Sequence, residues 1–136
     1  MSSFSAEHFK KTKFTAERIS GYLAKARRDL EIAEKDQIPE VRFTFAYQAL
    51  VKAGIAYVAH EGYKVRTAPG HHIKLIEKLS EFLKDPAVFT FGNAMRIKRN
   101  NDLYGDGGIV SEKDAEEYLE FVRGVLDKVK AKIPPK

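Results

Sequence analysis

Apolar residues recur every three or four positions over five separate stretches of this chain, and this spacing limits what the chain can fold into. Such spacing places apolar side chains along one face of a helix, whereas a strand with one buried face alternates apolar and polar residues. No stretch shows a convincing alternation. The sequence therefore predicts an all-α fold without a sheet.

Turn and capping residues divide this pattern into helices. The predicted helices span about 15–34, 39–61, 71–83, 86–104 and 111–132. Pro39 stands at a favoured first helical position, and Ser111 followed by Asp114 is typical of a helix start. The second helix is apolar around most of its circumference, so we expect it at the centre. Short connections favour antiparallel neighbours, which predicts an up-and-down bundle of four or five helices.

The length of 136 residues predicts one domain, residues 1–136, with frayed ends at 1–12 and 133–136. The absence of cysteine excludes disulfides, thiolate metal sites and a thiol nucleophile. Adjacent helical residues diverge by about 100°, so His71 and His72 are expected at a helix start rather than around a metal. We predict no metal and no cofactor. No apolar run reaches membrane-spanning length, which favours a cytoplasmic protein without a membrane partner.

The net charge of +5 favours anionic partners. Basic residues whose positions are already explained by helix structure are no evidence for such a partner. The last helix carries its acids first and its bases last, which is the order that the helix dipole favours. The remaining excess lies in residues 1–35, with eight Lys and Arg against five Asp and Glu, and in residues 96–102, with three against one.

A polar stripe lies at the end of the fourth predicted helix. Arg96, Asn100 and Tyr104 are spaced four residues apart, and Arg99 lies one position round the helix from this stripe. A guanidinium is always charged and fits a phosphate with two hydrogen bonds, so Arg96, Arg99 and Asn100 are candidate phosphate-binding residues. The alternative is structural, because Arg and Asn near a helix C-terminus also fit the helix dipole and a C-cap.

At this stretch the sequence resembles the HEPN superfamily of small helical ribonucleases and nucleotide-binding domains. The motif of that family is Arg, four to six residues, then His, and a polar residue commonly follows the Arg. Here "RNNDLY" supplies Arg99, Asn100 and, after four residues, Tyr104, so a tyrosine stands in place of the motif histidine. The layout is also similar, with "ERISGYLAKARRDLEIAEK" and "RFTFAYQALVKAGIAYVAHEGY" as the first two helices and "TAPGHHIKLIEKL" opening the third. In architecture the resemblance covers most of the chain.

The resemblance implies a HEPN-like bundle and candidate catalytic residues Arg99, Asn100 and Tyr104. In the family, cleavage needs no metal: the RNA 2′-hydroxyl attacks the adjacent phosphate, Arg stabilises the developing charge and His transfers a proton. A phenol, with an ordinary pKa near ~10, is a poor base at neutral pH. We therefore expect a domain that binds RNA or a nucleotide and is weak or inactive as a ribonuclease. The resemblance also implies a homodimer and a nucleotidyltransferase-type antitoxin as partner.

Two alternatives stay open at this point. One is an active metal-independent ribonuclease, the toxin component of a toxin–antitoxin pair. The other is an all-α oligomerisation or interaction domain without nucleic-acid function, in which the motif is only a helix end.

Overall fold

Five helices account for most of the protein, of which a computed structural model describes residues 4–103 and 110–133. They are α1 Ala16–Lys35, α2 Pro39–His60, α3 His71–Leu83, α4 Pro86–Leu103 and α5 Glu112–Lys132. The predicted helical class is confirmed, and each predicted helix is present. Ser111 is the N-cap of α5, as predicted, and its hydroxyl accepts a hydrogen bond from the Asp114 backbone N–H at 3.0 Å.

A small antiparallel sheet corrects the prediction that the chain has no strand. Strand β1 Phe9–Lys11 pairs with β2 Tyr63–Val65, with Phe9 opposite Val65. Phe9 is buried, and the ring of Phe4 stacks on that of Tyr63 at 4.4 Å between centroids. Residues 9–11, which lie in the segment expected to be frayed, are therefore paired in a strand. At the other end Ile133 is buried, while residues 134–136 lie outside the described residues, so fraying there stays a prediction.

Helix α2 is the centre of the bundle, as its apolar composition predicted. Twelve of its residues are buried, more than in any other helix when the described residues are compared. It packs against α1, α3, α4, α5 and β2. Each of the other helices therefore has a face fixed against α2, which determines where its polar residues lie.

The predicted up-and-down order fails at one step, because α2 and α3 run in the same direction. Three neighbouring pairs advance together along both helices: Tyr47 with His72, Gly54 with Leu75, and Tyr57 with Phe82. The connection between α2 and α3 contains β2 and is ten residues long, from 61 to 70. Ten extended residues span roughly 33 Å, which is enough to return alongside half of α2 before α3 begins. This return brings the start of α3 level with Tyr47.

The crossing of α2 and α3 depends on a glycine. A Cβ on Gly54 would lie 3.0 Å from Leu75 Cβ and 3.4 Å from the Leu75 carbonyl oxygen, so the helices would have to separate.

We expect Gly54→Ala to lower the free energy of unfolding by about 1–3 kcal/mol through overpacking. Gly124→Ala in α5 is the matched control, because nothing lies within 4 Å of the position that its added methyl group would take. It should raise stability by about 0.5–1 kcal/mol, since alanine favours a helix. Urea unfolding of both variants measures the difference, and an equal effect of the two changes would refute the role of Gly54.

Within residues 4–103 and 110–133, no helix has both the length and the apolar character needed to cross a membrane.

Candidate phosphate-binding site

The last turns of α4 carry the residues that the sequence singled out. Arg96, Arg99 and Asn100 are each partly exposed. The Arg96 Nε donates to the Asn93 side-chain oxygen at 2.9 Å, one turn earlier on the same helix. Asn100 forms no side-chain hydrogen bond with another described residue, so its amide does not cap the helix within that part of the chain. Tyr104 lies outside the described residues.

Two residues from other helices join this group. The guanidinium carbon of Arg99 lies 5.6 Å from the centre of the Tyr47 ring, within cation–π distance. The Tyr47 hydroxyl forms a hydrogen bond of 3.0 Å with His72 Nδ1. Thus α4, α2 and α3 each contribute one member to a continuous array, which we call the Arg99–Tyr47–His72 array.

Sequence reasoning missed Tyr47 and His72 as members of this site. Tyr47 lies in α2 and is buried, with 1% of its surface exposed. His72 was expected at a helix start, where it is, in the first turn of α3. Their contact follows from the parallel course of α2 and α3, which spacing along one helix does not reveal. The only signal in the sequence was a pair of histidines at the beginning of an otherwise amphipathic helix.

Neither Arg96 nor Arg99 forms an ion pair with an acidic side chain in the described part of the chain. Other arginines do: Arg42 pairs with Glu116 and Arg123 pairs with Glu34, each at 2.9 Å. An aromatic ring attracts a cation through its quadrupole but carries no net charge. Within the described residues, the two guanidinium charges on α4 are therefore not balanced by a carboxylate.

Tyr47 and His72, the two members of the array beside Arg99, are neutral at pH 7. Burial, and to a smaller extent the positive charges of His71, Arg99 and Arg96, lower the pKa of His72 to about 4. Burial raises the pKa of Tyr47 to about 12, although Arg99 and Arg96 act in the opposite direction. The array thus presents cations next to an uncharged imidazole and an uncharged phenol.

The low pKa of His72 predicts a dependence of stability on pH. The unfolded chain takes up this proton near pH 6.5, whereas the folded chain takes it up near pH 4. Between these values the unfolded state binds more protons, so stability is complete above about pH 6.5 and falls as the pH drops towards 4. We expect the free energy of unfolding to fall by about 1–2 kcal/mol over this range. This estimate already allows for the partial solvent exposure of the ring, which weakens the effect.

Urea unfolding between pH 7.5 and 5 measures this slope. The His72→Gln variant serves as the control, because it removes the titrating ring. The variant should show a shallower slope than the unchanged protein, and equal slopes would contradict the assigned pKa.

No group of three or more His, Cys, Asp or Glu is placed to hold a metal ion, as far as the described residues show.

Comparison with models of protein families, with curated proteins and with solved structures found no match to this chain.

Proposed function

We propose that the end of α4 binds the phosphate groups of RNA or of a nucleotide through Arg96, Arg99 and Asn100. The observation that carries this proposal is the placement of Arg99, which is held over the Tyr47 ring without a carboxylate partner among the described residues. A guanidinium fixed in this way loses less conformational freedom on binding a phosphate than a mobile guanidinium does.

Charge and hydrogen bonding both favour a phosphate over a neutral ligand. Two arginines one turn apart offer forks of N–H donors, and charge-assisted bonds to phosphate are stronger than neutral ones. Tyr47 and His72 leave the positive charge of the arginines uncompensated because both are neutral. Asn100 adds a donor and an acceptor on the same turn.

The resemblance to HEPN domains supports the same interpretation, because that family binds or cleaves RNA with an Arg at this helix end. The homodimer, the nucleotidyltransferase-type partner and the cytoplasmic location that the resemblance and composition predicted stay predictions. Two apolar side chains on α4, Phe91 and Ile97, are about half exposed. A second copy of the chain in a homodimer would bury them.

One observation favours the alternative of an active ribonuclease. His72 brings an imidazole to the arginine site, although Tyr104 stands where the family has its histidine. A neutral imidazole is able to accept a proton, but a conjugate acid with a pKa of about 4 makes it a weak base at neutral pH. The arrangement therefore predicts cleavage that is slow or absent.

We expect Tyr104→His to create or raise ribonuclease activity, because an imidazole at this position supplies a group that titrates near neutrality. The measurement is cleavage of a labelled single-stranded RNA with a metal chelator present. Tyr104→Phe is the control and should leave RNA binding intact.

Slow cleavage by the unchanged protein that disappears in His72→Gln would assign the proton transfer to His72. Efficient metal-independent cleavage that Tyr104→Phe abolishes would contradict the proposal, since the phenol would then be the catalytic group.

The binding proposal itself is tested by titrating labelled single-stranded RNA with the protein at rising salt concentrations. Contacts to phosphates release counterions, so affinity should fall linearly on a logarithmic scale. Absence of RNA and nucleotide binding at low salt would leave only the interpretation as an oligomerisation or interaction domain.

A further inference from the structure

A cavity of about 230 Å³ lies among α2, β2, the start of α1 and the start of α3, and His72 belongs both to its lining and to the Arg99–Tyr47–His72 array. Its walls are mainly aromatic and aliphatic side chains: Phe14, Tyr22, Tyr63, Val51, Ile55 and Leu75. The volume is below the roughly 300–1,000 Å³ of pockets that hold drug-sized ligands, so its occupant has to be small.

The polar part of the lining carries positive and neutral groups without a carboxylate among the described residues. It consists of Lys64, Thr67, His71 and His72. The Nδ1 of His71 is bonded to the Ala68 carbonyl at 2.9 Å, and a carbonyl only accepts, so Nδ1 carries a proton. The Nε2 of this ring forms no hydrogen bond with another residue that the structure describes.

Lys10 is not among the lining residues, but the sheet places it next to Lys64, which is. In the sheet register Lys10 is the direct partner of Lys64, so both side chains lie on the same face, and both residues are exposed. Like charges directly opposite each other destabilise a sheet. Neither lysine forms an ion pair in the part of the chain that the structure describes. A bound anion would offset this repulsion.

We propose that this cavity binds a small apolar carboxylic acid, with the hydrocarbon body inside and the carboxylate at Lys64 and Lys10. The apolar walls account for the body, and the lysine pair accounts for the charge. A nucleobase fits less well, because its polar edge needs several hydrogen-bond partners. The Tyr22 hydroxyl already accepts a hydrogen bond from Arg18 at 3.1 Å, and most of the wall offers only carbon.

The experiment compares acids with matched neutral and truncated probes by NMR titration of the intact chain. The acids are octanoate and 3-phenylpropionate, which distinguish an aliphatic from an aromatic occupant. The neutral probes are 1-octanol and 3-phenylpropanol, and acetate lacks the apolar body. At least one acid should bind saturably and about tenfold more tightly than its alcohol and than acetate, given one favourable charge interaction near the surface.

Charge variants locate the binding without altering the core. In the double variant Lys10→Gln with Lys64→Gln, the affinity for the acid should fall to within about threefold of the affinity for its alcohol. Lys113→Gln, at an exposed position in α5, removes one charge elsewhere and should have no effect. Arg99→Ala should weaken acid binding less than the lysine double variant does, because Arg99 does not line the cavity and reaches it only through Tyr47 and His72.

Three results would overturn the proposal: neither acid binds, the alcohol or acetate binds as tightly as the acid, or the affinity responds to Arg99→Ala and not to the lysine pair. The last result would place the anion at the arginine site.

Discussion

Replacing Arg99 with alanine is expected to weaken binding of single-stranded RNA about tenfold to a hundredfold at low salt. This range corresponds to the loss of about 1.5–3 kcal/mol for hydrogen bonds to a charged group. The guanidinium is held at 5.6 Å over the Tyr47 ring and has no acidic partner among the described residues, so its charge is available to a phosphate. Fluorescence anisotropy of labelled RNA measures the affinity.

Salt and a matched arginine provide the controls for this prediction. The loss should shrink as salt rises, because the variant releases fewer counterions. Arg28→Ala removes the same charge from an exposed position of α1, a helix that packs against α2 and α5, and should change affinity less than Arg99→Ala. Stability should fall by no more than about 1 kcal/mol in Arg99→Ala, the value of a cation–π contact. An effect on thermal unfolding alone would make this stretch a helix end without a binding role.

Replacing Lys52 with methionine is expected to lower the free energy of unfolding by about 3–5 kcal/mol. The Lys52 ammonium lies 2.5 Å from the Asp29 carboxylate, which joins α1 to α2. Asp29 is only 2% exposed, so removing Lys52 leaves a buried charge without its cation. Urea-induced unfolding followed by circular dichroism measures the loss.

The double variant Asp29→Leu with Lys52→Met is the control. Removing both charges should recover most of the stability, because the desolvated carboxylate is gone. Glu116→Gln breaks the more exposed pair with Arg42 and should cost at most about 1 kcal/mol. A loss below about 1 kcal/mol in Lys52→Met would mean that the carboxylate is solvated by other means.

The helices were predictable from sequence because each carries its own signals. Helix α3 spans His71–Leu83, the range that the pattern predicted, and α2 begins at Pro39, as predicted. The sheet was missed because β1 and β2 are three residues each, too short to show an alternation. Their pairing joins residues more than fifty positions apart, which local pattern does not encode.

The site was predictable only as far as one helix reaches. Spacing placed Arg96, Arg99 and Asn100 on neighbouring positions of α4. Tyr47 and His72 lie on other helices, and their position beside Arg99 depends on how the connection from 61 to 70 returns along α2. That return is a property of tertiary packing, since the short sheet holds β2 and the close approach at Gly54 holds α3.

The most direct test of phosphate binding follows the arginine Nε–H signals by NMR while a short single-stranded RNA is added. The Arg99 and Arg96 signals should shift first and saturably, whereas those of the ion-paired Arg42 and Arg123 should move little. Inorganic phosphate at high concentration should move the same two signals in the same direction. Shifts spread evenly over all arginines, or confined to arginines outside α4, would contradict the proposed site.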